Sequence, residues 1–455
     1  MREHVKFHGG YIGAWLPILF MLAGMFVNTF LKGGFSRLLM ITFAAIALGF
    51  FLSKDKKHFG DITITGLQNS LLSTIIVAYI LASLLAQLLR QSGLIDTLIY
   101  SISVIGLHAG LVPLIAFFIC VLISTSCGTS TGSIAAVAPV FLPLAAGLNI
   151  DMGLMCGAII SGAIFGDNLA PISDTTISSA VTQEAEISDV VRTRFPYAAI
   201  SAIISAVLFV IVGLQITSSI PPEITVKSVT IPSLILLLLP LMMVLMMRKG
   251  WDLMSTLIVC NISGIILDWG LGCIPAETLF GAKGPIASGL TGMLPLVLYV
   301  MMLFMIIQML KCSGAFEQLA KGMMKFCTSF LSGELVCYAC SVLGSIMTGG
   351  SGIAIIFFGP FVRTITKTMG IDRCRGANIL DGVACGTTGL MPHGNPMLIS
   401  VGLAIAIPGV DPNFSFLNIV PYAFHCWGLI LIFLLSILSG IGRKLVTPEP
   451  LENTV

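Results

Sequence analysis

Apolar stretches long enough to cross a lipid bilayer recur along the whole chain. A transmembrane helix needs about 20 consecutive apolar residues. The chain has 455 residues, of which 56% are hydrophobic and only 10% are charged. Soluble domains carry about a quarter of charged residues, so the sequence predicts an all-α polytopic membrane protein. The runs lie near 11–31, 36–53, 65–90, 151–180, 195–218, 231–247, 252–268, 287–310, 373–402 and 416–440.

Two pairs of shorter apolar arms interrupt this series, at 110–147 and at 334–369. The arms of each pair meet at a turn of small residues, STSCGTSTGS (124–133) or SIMTGGSGIA (345–354). Short arms that meet at such a turn are typical of re-entrant hairpins. We therefore expect one re-entrant hairpin in each half of the chain.

The two halves of the chain are copies of each other at a constant offset of 221 residues. Ser124, Gly128, Ser130, Pro139, Asp151, Pro171 and Ser179 recur as Ser345, Gly349, Ser351, Pro360, Asp372, Pro392 and Ser400. Leucine-rich composition alone would not align this series of serine, glycine, proline and aspartate. Because each copy has five crossings, the second copy enters the membrane from the opposite side. We predict two inverted repeats, 1–220 and 221–455.

The basic residues indicate the orientation in the membrane. Of the 23 lysines and arginines, eighteen fall on the side of the N-terminus. The other five are Lys32, Arg37, Arg90, Lys227 and Lys283. This positive-inside bias predicts cytoplasmic termini. The first ten residues are polar, so we expect the first apolar run to be a span and not a cleaved signal. Every basic residue maps to a loop or to the end of a run, and none is expected beside acids within the membrane.

The fourth run changes from apolar to polar at Pro171, within the sequence GAIFGDNLAPISDTTISS (162–179). Proline cannot donate to the helix ladder and disfavours helical geometry at the preceding residue. A helix that breaks there frees backbone groups, which membrane depth tolerates only beside protein or a water-filled cavity. Secondary transporters build ion sites from broken helices of this kind. We therefore expect broken helices at 151–180 and, in the second repeat, at 373–402.

The second break, DGVACGTTGLMPHGNPMLIS (381–400), has fewer acids than the first. Thr388 aligns with Asp167, and Asn395 aligns with Asp174. Asp381 either faces a cavity or pairs with Asn378. The breaks and hairpin tips together give the candidate ion or substrate ligands Asp167, Asn168, Ser173, Asp174, Thr175, Thr176, Gly128, Thr129, Ser130, Gly349, Gly350, Ser351, Asp381, Thr387, Thr388, His393 and Asn395.

Asp167 and Asp174 are the predicted carriers of sodium ions and protons. An intramembrane carboxylate costs several kcal/mol unless it faces a cavity or a partner. Burial raises the pKa of a carboxyl group and a bound cation lowers it, so proton release accompanies cation entry. Hydroxyl groups and freed carbonyls supply the further oxygen ligands that a hard cation prefers.

Structural alternatives remain for several of these residues. Asp167 and Asp174 would serve as helix caps, and Thr175 and Thr176 would bond back to their own helix. His393 is either a proton-carrying group or a neutral, hydrogen-bonded histidine. The aspartates at 151 and 372 begin their helices and are expected to be N-caps.

The leading hypothesis is therefore a secondary transporter that exchanges sodium ions for protons. The alternative is a Na+- or H+-coupled transporter of a small organic substrate, an amino acid or a carboxylate, held by the hairpin tips and Asn395. The expected lack of a membrane arginine disfavours a dicarboxylate. The chain lacks the GxGD pattern of intramembrane aspartyl proteases, and its broken helices disfavour a passive channel. It has no nucleotide-binding loop, and we expect no enzymatic activity, no cofactor and no nucleic-acid partner.

The segment GAIFGDNLAPISDTT (162–176) resembles the signature of the NhaC-type sodium/proton antiporters of the ion transporter superfamily. The resemblance extends over the full length, through the paired hairpins. It implies inverted repeats, two re-entrant hairpins, two unwound helices and often a homodimer, in the inner membrane of a bacterium. It also implies that Asp167, Asn168, Ser173, Asp174 and Thr175 bind the ion or substrate. Some members have a lysine where Asn168 stands, and relatives exchange organic acids or amino acids.

Overall fold

The computed structural model describes residues 5–31, 35–68, 70–216 and 230–447. Within these ranges the ordered elements are helices, and extended pairing is limited to isolated bridges between Phe7 and Ser53 and between Ile371 and Leu445. The all-α class is therefore confirmed. The predicted repeat boundary at 220/221 and the basic residues Arg2, Lys32 and Lys227 lie outside the described residues.

Among the described residues, ten α-helices lie in the first half of the chain and twelve in the second. The ten are α1 (Gly10–Phe30), α2 (Phe35–Leu52), α3 (Phe59–Ile64), α4 (Ser70–Gln91), α5 (Leu94–Ile105), α6 (Val112–Cys127), α7 (Ser130–Gly147), α8 (Met152–Leu169), α9 (Asp174–Thr182) and α10 (Ile187–Ile216). Short 3-10 helices cover Thr65–Gln68 and Ala109–Leu111.

The second half contributes twelve more helices. They are α11 (Leu238–Arg248), α12 (Leu253–Gly270), α13 (Ala276–Leu279), α14 (Pro285–Gly292), α15 (Leu294–Cys312), α16 (Ala315–Met324), α17 (Phe330–Thr348), α18 (Ser351–Met369), α19 (Arg373–Thr388), α20 (Asn395–Ile405), α21 (Phe416–Ile419) and α22 (Phe424–Ser439). Short 3-10 helices cover Ile231–Leu237 and Val420–Tyr422.

The helices have the length and composition of a polytopic membrane protein. Among the described residues, eight helices are long and apolar enough to cross a membrane, and nine if the bent pair α21–α22 counts as one span. Three arms of the two hairpins, 109–127, 130–147 and 330–348, pass this test. The expectation that the arms are shorter than a span was therefore wrong. Re-entrance stays a prediction, and arm length no longer argues for it.

Both hairpin tips turn on a glycine in the left-handed region. Gly128 (φ 67°) follows α6 and Gly349 (φ 64°) follows α17. Glycine adopts this conformation without the steric penalty of a Cβ atom, so the chain reverses at once into the next helix. Residues 170–173 interrupt the first predicted broken helix, between α8 and α9, and residues 389–394 interrupt the second, between α19 and α20.

Aspartates begin both helices that lead into the breaks. Asp151 accepts a hydrogen bond from the Leu154 amide (2.7 Å) at the start of α8. Asp372 accepts from the amide of Cys374 (3.0 Å) and that of Arg375 (3.3 Å) at the start of α19. Both aspartates are therefore N-caps, as the sequence indicates, and neither is a candidate ligand.

Equivalent contacts recur in the two halves at the offset of the sequence repeat. The Ser124 hydroxyl of α6 donates to the Ala163 carbonyl of α8 (2.6 Å). In the second half, the Ser345 hydroxyl of α17 donates to the Ala384 carbonyl of α19 (3.2 Å). Each hairpin is thus held against the helix that leads into the break of its own half. These paired contacts support the duplication, while its inverted orientation stays a prediction.

The two halves also exchange equivalent contacts with each other. A Cβ atom at Gly66 would lie 2.6 Å from the Phe304 carbonyl oxygen of the second half. A Cβ atom at Gly289 would lie 2.6 Å from the Leu84 Cα of the first half. Only glycine allows backbones to approach this closely. Gly66 and Gly289 therefore each allow close contact between the two halves.

Candidate functional site

The first break positions a carboxylate against a serine hydroxyl. Ser173 ends the break, and its hydroxyl donates to Asp167 Oδ1 at 2.6 Å. The same hydroxyl accepts from the Thr175 amide (3.3 Å) and so caps α9. Asp167 is 4% exposed. Ser173 therefore serves both as a helix cap and as the hydrogen-bond donor that fixes the Asp167 carboxylate.

The hydroxyl groups of the two threonines reach back across the break. Thr175 Oγ1 lies 3.4 Å from the Asp167 carbonyl oxygen. Thr176 Oγ1 lies 3.5 Å from the carbonyl oxygens of both Asp167 and Asn168. These carbonyls belong to the last turn of α8, where no helical amide follows to bond them. The threonine hydroxyls thus donate to carbonyls at the end of α8. The structural alternative, in which they bond back to their own helix, is not what the structure has.

The second break is held in place by contacts from two other helices. The Tyr79 hydroxyl of α4 donates to the Asn395 carbonyl (3.4 Å) at the start of α20. His393 Nε2 lies 2.8 Å from the Ile346 carbonyl oxygen of α17, so Nε2 carries the proton in this contact. In the described residues, the buried Thr387 and Thr388 hydroxyls have no hydrogen-bond partner.

Both breaks and both hairpin tips meet at one cavity of about 510 Å³. Asp167 and Asp174 line it, and Asp174 is exposed to it. The other polar lining residues are Thr74, Thr129, Ser130, Thr131, Thr175, Ser178, Lys311, Gly350, Ser351, Gly352, Thr388 and Asn395. The apolar lining residues are Ile353, Ile356, Phe357 and Pro396.

The structure brings only some of the candidate residues to the cavity wall. Nine of them line it: Asp167, Asp174, Thr175, Thr129, Ser130, Gly350, Ser351, Thr388 and Asn395. The other candidates are not lining residues, namely Asn168, Ser173, Thr176, Gly128, Gly349, Asp381, Thr387 and His393. Of these, Gly128 and Gly349 form the tip turns, while Ser173 and Thr176 support the lining residues from behind.

A buried arginine lies directly behind the first break, contrary to the expectation from the sequence. Arg194 is on α10 and is completely buried, as is Asp381 on α19. The Arg194 guanidinium forms an ion pair with Asp381 Oδ2. Asp381 is therefore paired with Arg194 and not with Asn378, whose amide oxygen instead accepts from Arg194 Nε (3.1 Å).

A different basic residue, Lys311, lies on the cavity wall. The Lys311 ammonium, near the C-terminal end of α15, is 5.2 Å from the centre of the Phe357 ring. Both side chains line the cavity that contains Asp167 and Asp174. The expectation that no basic residue lies beside the acids is therefore wrong at Arg194, which pairs with Asp381, while Lys311 lines the same cavity as Asp167 and Asp174.

Comparisons with known proteins agree with this architecture. A sequence model described as the Na+/H+ antiporter family matches residues 5–214. The Na+/H+ antiporter NhaC of Bacillus subtilis is 26% identical over 438 residues, which cover 90% of this chain and 92% of that protein. The chain is therefore similar to the Na+/H+ antiporter family over residues 5–214. It is a membrane transport protein and not an enzyme, and its resemblance to the NhaC-type antiporters is confirmed.

Other similar proteins have different names. The arginine/ornithine antiporter ArcD of Halobacterium salinarum is 24% identical over 85% of this chain and 83% of that protein. A malate-2H+/Na+-lactate antiporter of B. subtilis is 30% identical over 171 residues, and the match spans about a third (36%) of that relative. Among solved structures, the YdaH transporter of Alcanivorax borkumensis has a TM-score of 0.39 and 13% identity, over 86% of this chain and 90% of that one.

Sequence reasoning missed several residues of this site. Arg194 was placed before the fifth span, which was expected to begin at residue 195, but α10 begins two turns earlier, at Ile187. The continued apolar pattern at Val190 and Val191 was the available signal. Lys311 was expected in a loop or at the end of a run and lies in the last turn of α15, but its position on the cavity wall was not expected. Nothing in the sequence signals that Phe357 of α18 contacts it.

Proposed function

We propose that this protein is a secondary antiporter that exchanges sodium ions for protons by alternating access, with Asp167 and Asp174 as carriers. The observation that supports this most directly is that both carboxylates line one cavity, where both breaks and both hairpin tips meet. Transporters that work by alternating access place their ion sites at such a junction. The names of the relatives support antiport as the class of activity.

The two carboxylates differ in their access to the cavity. Asp174 is exposed, whereas Asp167 is almost completely buried and bonded to Ser173. An incoming sodium ion therefore meets Asp174 first and Asp167 deeper in the wall. Oxygen ligands are available beside them, since Thr175 and the unpartnered Thr388 hydroxyl line the same cavity. Hard cations prefer this set of carboxylate and hydroxyl oxygens.

Exchange follows from competition for the same carboxylates. A carboxylate removed from water binds a proton more readily, while a cation beside it favours the ionised form. Sodium and proton therefore exclude each other at Asp167 and Asp174. When the cavity alternates between opening to the cytoplasm and opening to the outside, sodium ions cross in one direction and protons in the other.

The orientation of the cavity is part of this proposal. The positive-inside bias puts Lys311 on the cytoplasmic side, so the cavity beside Lys311 is open to the cytoplasm. The inverted repeats would supply the opposite state by exchanging their conformations. We place the protein in the bacterial inner membrane with both termini in the cytoplasm. The homodimer stays an implication of the family resemblance.

Purified protein in vesicles that contain a pH-sensitive dye tests this function. Sodium added outside should change the internal pH in the wild type but not in Asp174→Asn or Asp167→Asn. Half-exposed Asp189 is a control, because its carboxylate forms an ion pair with exposed Arg192 on the same helix. Asp189→Asn should behave as the wild type. A folded wild-type protein that gives no pH change with sodium would contradict sodium–proton exchange.

Lys311 favours a second candidate, a coupled exchange of small organic substrates. The cavity combines two carboxylates with one ammonium group and an aromatic ring. This set complements an amino acid, whose ammonium would bind the aspartates and whose carboxylate would bind Lys311. The relatives named for arginine/ornithine and malate/lactate exchange fit such a substrate. Uptake of labelled amino acids and carboxylates into the same vesicles separates the two candidates.

A further inference from the structure

We propose that Arg194 and Asp381 form a fixed charge pair that positions the two broken helices and keeps Asp381 out of the exchange of sodium ions and protons. Arg194 is thus a positioning residue, and the transported ions are left to Asp167 and Asp174. The second part of this inference rests on the proposed sodium–proton exchange. The first part rests on geometry alone.

The contacts of Arg194 connect four helices. Its Nη1 donates to the Asn168 carbonyl (2.6 Å) at the C-terminal end of α8. Its Nη2 lies 3.1 Å from the Ser179 hydroxyl of α9, and its Nε donates to Asn378 of α19 (3.1 Å). Arg194 itself is on α10. One rigid guanidinium therefore fixes both halves of the first break against the helix that leads into the second.

The position of the guanidinium suits the end of α8. The last carbonyls of a helix carry partial negative charge, and a cation there is favourable. The Asn168 carbonyl that receives Nη1 directly follows Asp167 in the chain. Arg194 therefore binds a backbone carbonyl one residue beyond the deeper carboxylate, although its side chain does not line the cavity.

Both oxygens of Asp381 are already engaged. Oδ2 receives the Arg194 guanidinium and the Ser179 hydroxyl (3.2 Å). Oδ1 is 3.4 Å from Asn168 Nδ2 and 3.0 Å from Cys385 Sγ. Asp381 does not line the cavity, unlike Asp167 and Asp174. An incoming sodium ion would have to displace these donors to reach it.

The positive charge of Arg194 is constant because arginine keeps its proton in proteins. With Asp381 neutralised by Arg194, the pair adds no net charge to the site. Breaking such a buried pair leaves one charge without a partner, which is more costly than removing both. This difference gives the proposal a sharp test.

The test compares Arg194→Gln, Asp381→Asn and the double variant, by thermal unfolding in detergent and by transport in vesicles. Each single variant should lower the unfolding midpoint by about 10 °C or fail to fold. The double variant should recover at least half of that loss. The exposed pair Arg192 and Asp189 is the matched control, and its three variants should differ little from the wild type.

A second measurement shows whether Asp381 positions the helices or carries protons. It is the number of protons exchanged per sodium ion, obtained from the reversal of flux in opposing gradients. This ratio should be unchanged in the double variant, whereas the KM for sodium rises severalfold. An Asp381→Asn protein that keeps its unfolding midpoint and exchanges fewer protons per sodium ion would make Asp381 a carrier and overturn the proposal. Single-variant losses that simply add in the double variant would also overturn it.

If Arg194→Gln and Asp381→Asn do not fold, Arg194→Lys tests the positioning role instead. Lysine keeps the charge but cannot make the separate contacts of Nε, Nη1 and Nη2. We expect a folded protein with a lower midpoint and a raised KM for sodium, and a midpoint and KM equal to those of the wild type would overturn the positioning role. If the wild type shows no sodium–proton exchange, the proposed function fails, while the unfolding measurements still decide whether the charge pair exists.

Discussion

The carboxylate of Asp174 faces Gly352, so that a Cβ atom added at Gly352 would lie 3.1 Å from Asp174 Oδ2. Asp174 begins α9 after the first break, and Gly352 is the second residue of α18, beyond the tip of the second hairpin. The exposed acid of one half is therefore placed against the hairpin tip of the other half. Both residues line the cavity.

Gly352→Ala should lower sodium affinity without lowering stability. The new methyl group must displace the Asp174 carboxylate by a few tenths of an ångström, and misplacement on this scale should raise the KM for sodium about three- to tenfold. Alanine favours a helix over glycine by about 1 kcal/mol, so the unfolding midpoint should not fall. Sodium-dependent pH change in vesicles and thermal unfolding in detergent measure the two effects.

Gly322→Ala is the control for this substitution. Gly322 is also helical, in α16, and a Cβ atom there would have no neighbour within 4 Å. The control should therefore leave the KM for sodium unchanged. A Gly352→Ala protein with the KM of the wild type would show that Asp174 does not bind the ion on the side that faces Gly352.

Ser173→Ala should weaken sodium binding at Asp167. The serine hydroxyl donates to Asp167 at 2.6 Å and stabilises the ionised form, which is the form that binds sodium. A hydrogen bond to a charged group contributes about 1.5–3 kcal/mol, so the KM for sodium should rise about tenfold or more. Loss of the N-cap of α9 should also lower the free energy of unfolding by about 1 kcal/mol.

Ser126→Ala separates the effect of the carboxylate contact from that of a lost hydroxyl. Ser126 lies near the tip of the first hairpin, and its hydroxyl donates to the Leu122 carbonyl of its own helix (2.8 Å). Its removal should leave transport intact. Equal KM values for Ser173→Ala and the wild type would argue against Asp167 as a sodium ligand.

The helical class and both breaks followed from local signals in the sequence. Apolar runs specify helices at membrane depth, and Pro171 specifies the end of α8 within a residue or two. The lengths of the hairpin arms did not follow, because small residues such as those at 130–135 fit a short arm and a span equally well. Helix α10 likewise begins two turns before its apolar run.

The candidate site was predictable in part, for a related reason. Asp167 and Asp174 are prominent because an acid in an apolar run has no local compensation. Arg194 was not, because its burial depends on Asn378 and Asp381, which lie more than 180 residues away and approach it only in the folded protein. A basic residue at the end of a run is normally solvated, so its pattern alone favoured the wrong interpretation.

Lys311→Gln should distinguish the two candidate functions. If the cavity binds sodium, removal of a like charge from its wall should lower the KM for sodium about two- to fivefold, as expected for an exposed pair of charges. The effect should shrink as ionic strength rises. If the substrate is an amino acid or a carboxylate held by Lys311, uptake should instead be lost.

Lys321→Gln is the matched control for Lys311→Gln. Lys321 is exposed on α16, the helix that follows α15 in the chain, and it does not line the cavity. It should change neither sodium exchange nor organic uptake. A KM for sodium that is raised by Lys311→Gln, without any organic uptake in the wild type, would contradict both assignments of Lys311.

Glu334 should be a determinant of stability distant from the ion site. This carboxylate is completely buried at the start of α17. Arg375 Nε donates to it at 2.9 Å, and Arg443 Nη2 donates to it at 2.7 Å from the segment that follows α22. That segment also pairs with the turn before α19, since the Val446 amide donates to the Gly370 carbonyl (2.8 Å). Glu334 therefore joins the C-terminal segment to the helix that leads into the second break.

Glu334→Gln should destabilise the protein while leaving its exchange ratio unchanged. Two arginines would lose their common anion, and breaking a buried ion pair costs about 3–5 kcal/mol. The unfolding midpoint in detergent should therefore fall markedly, whereas Glu277→Gln, at an exposed position in α13, should have little effect. Protein that folds should keep the wild-type number of protons per sodium ion, because Glu334 does not line the cavity. A changed ratio with an unchanged midpoint would instead place Glu334 among the proton carriers.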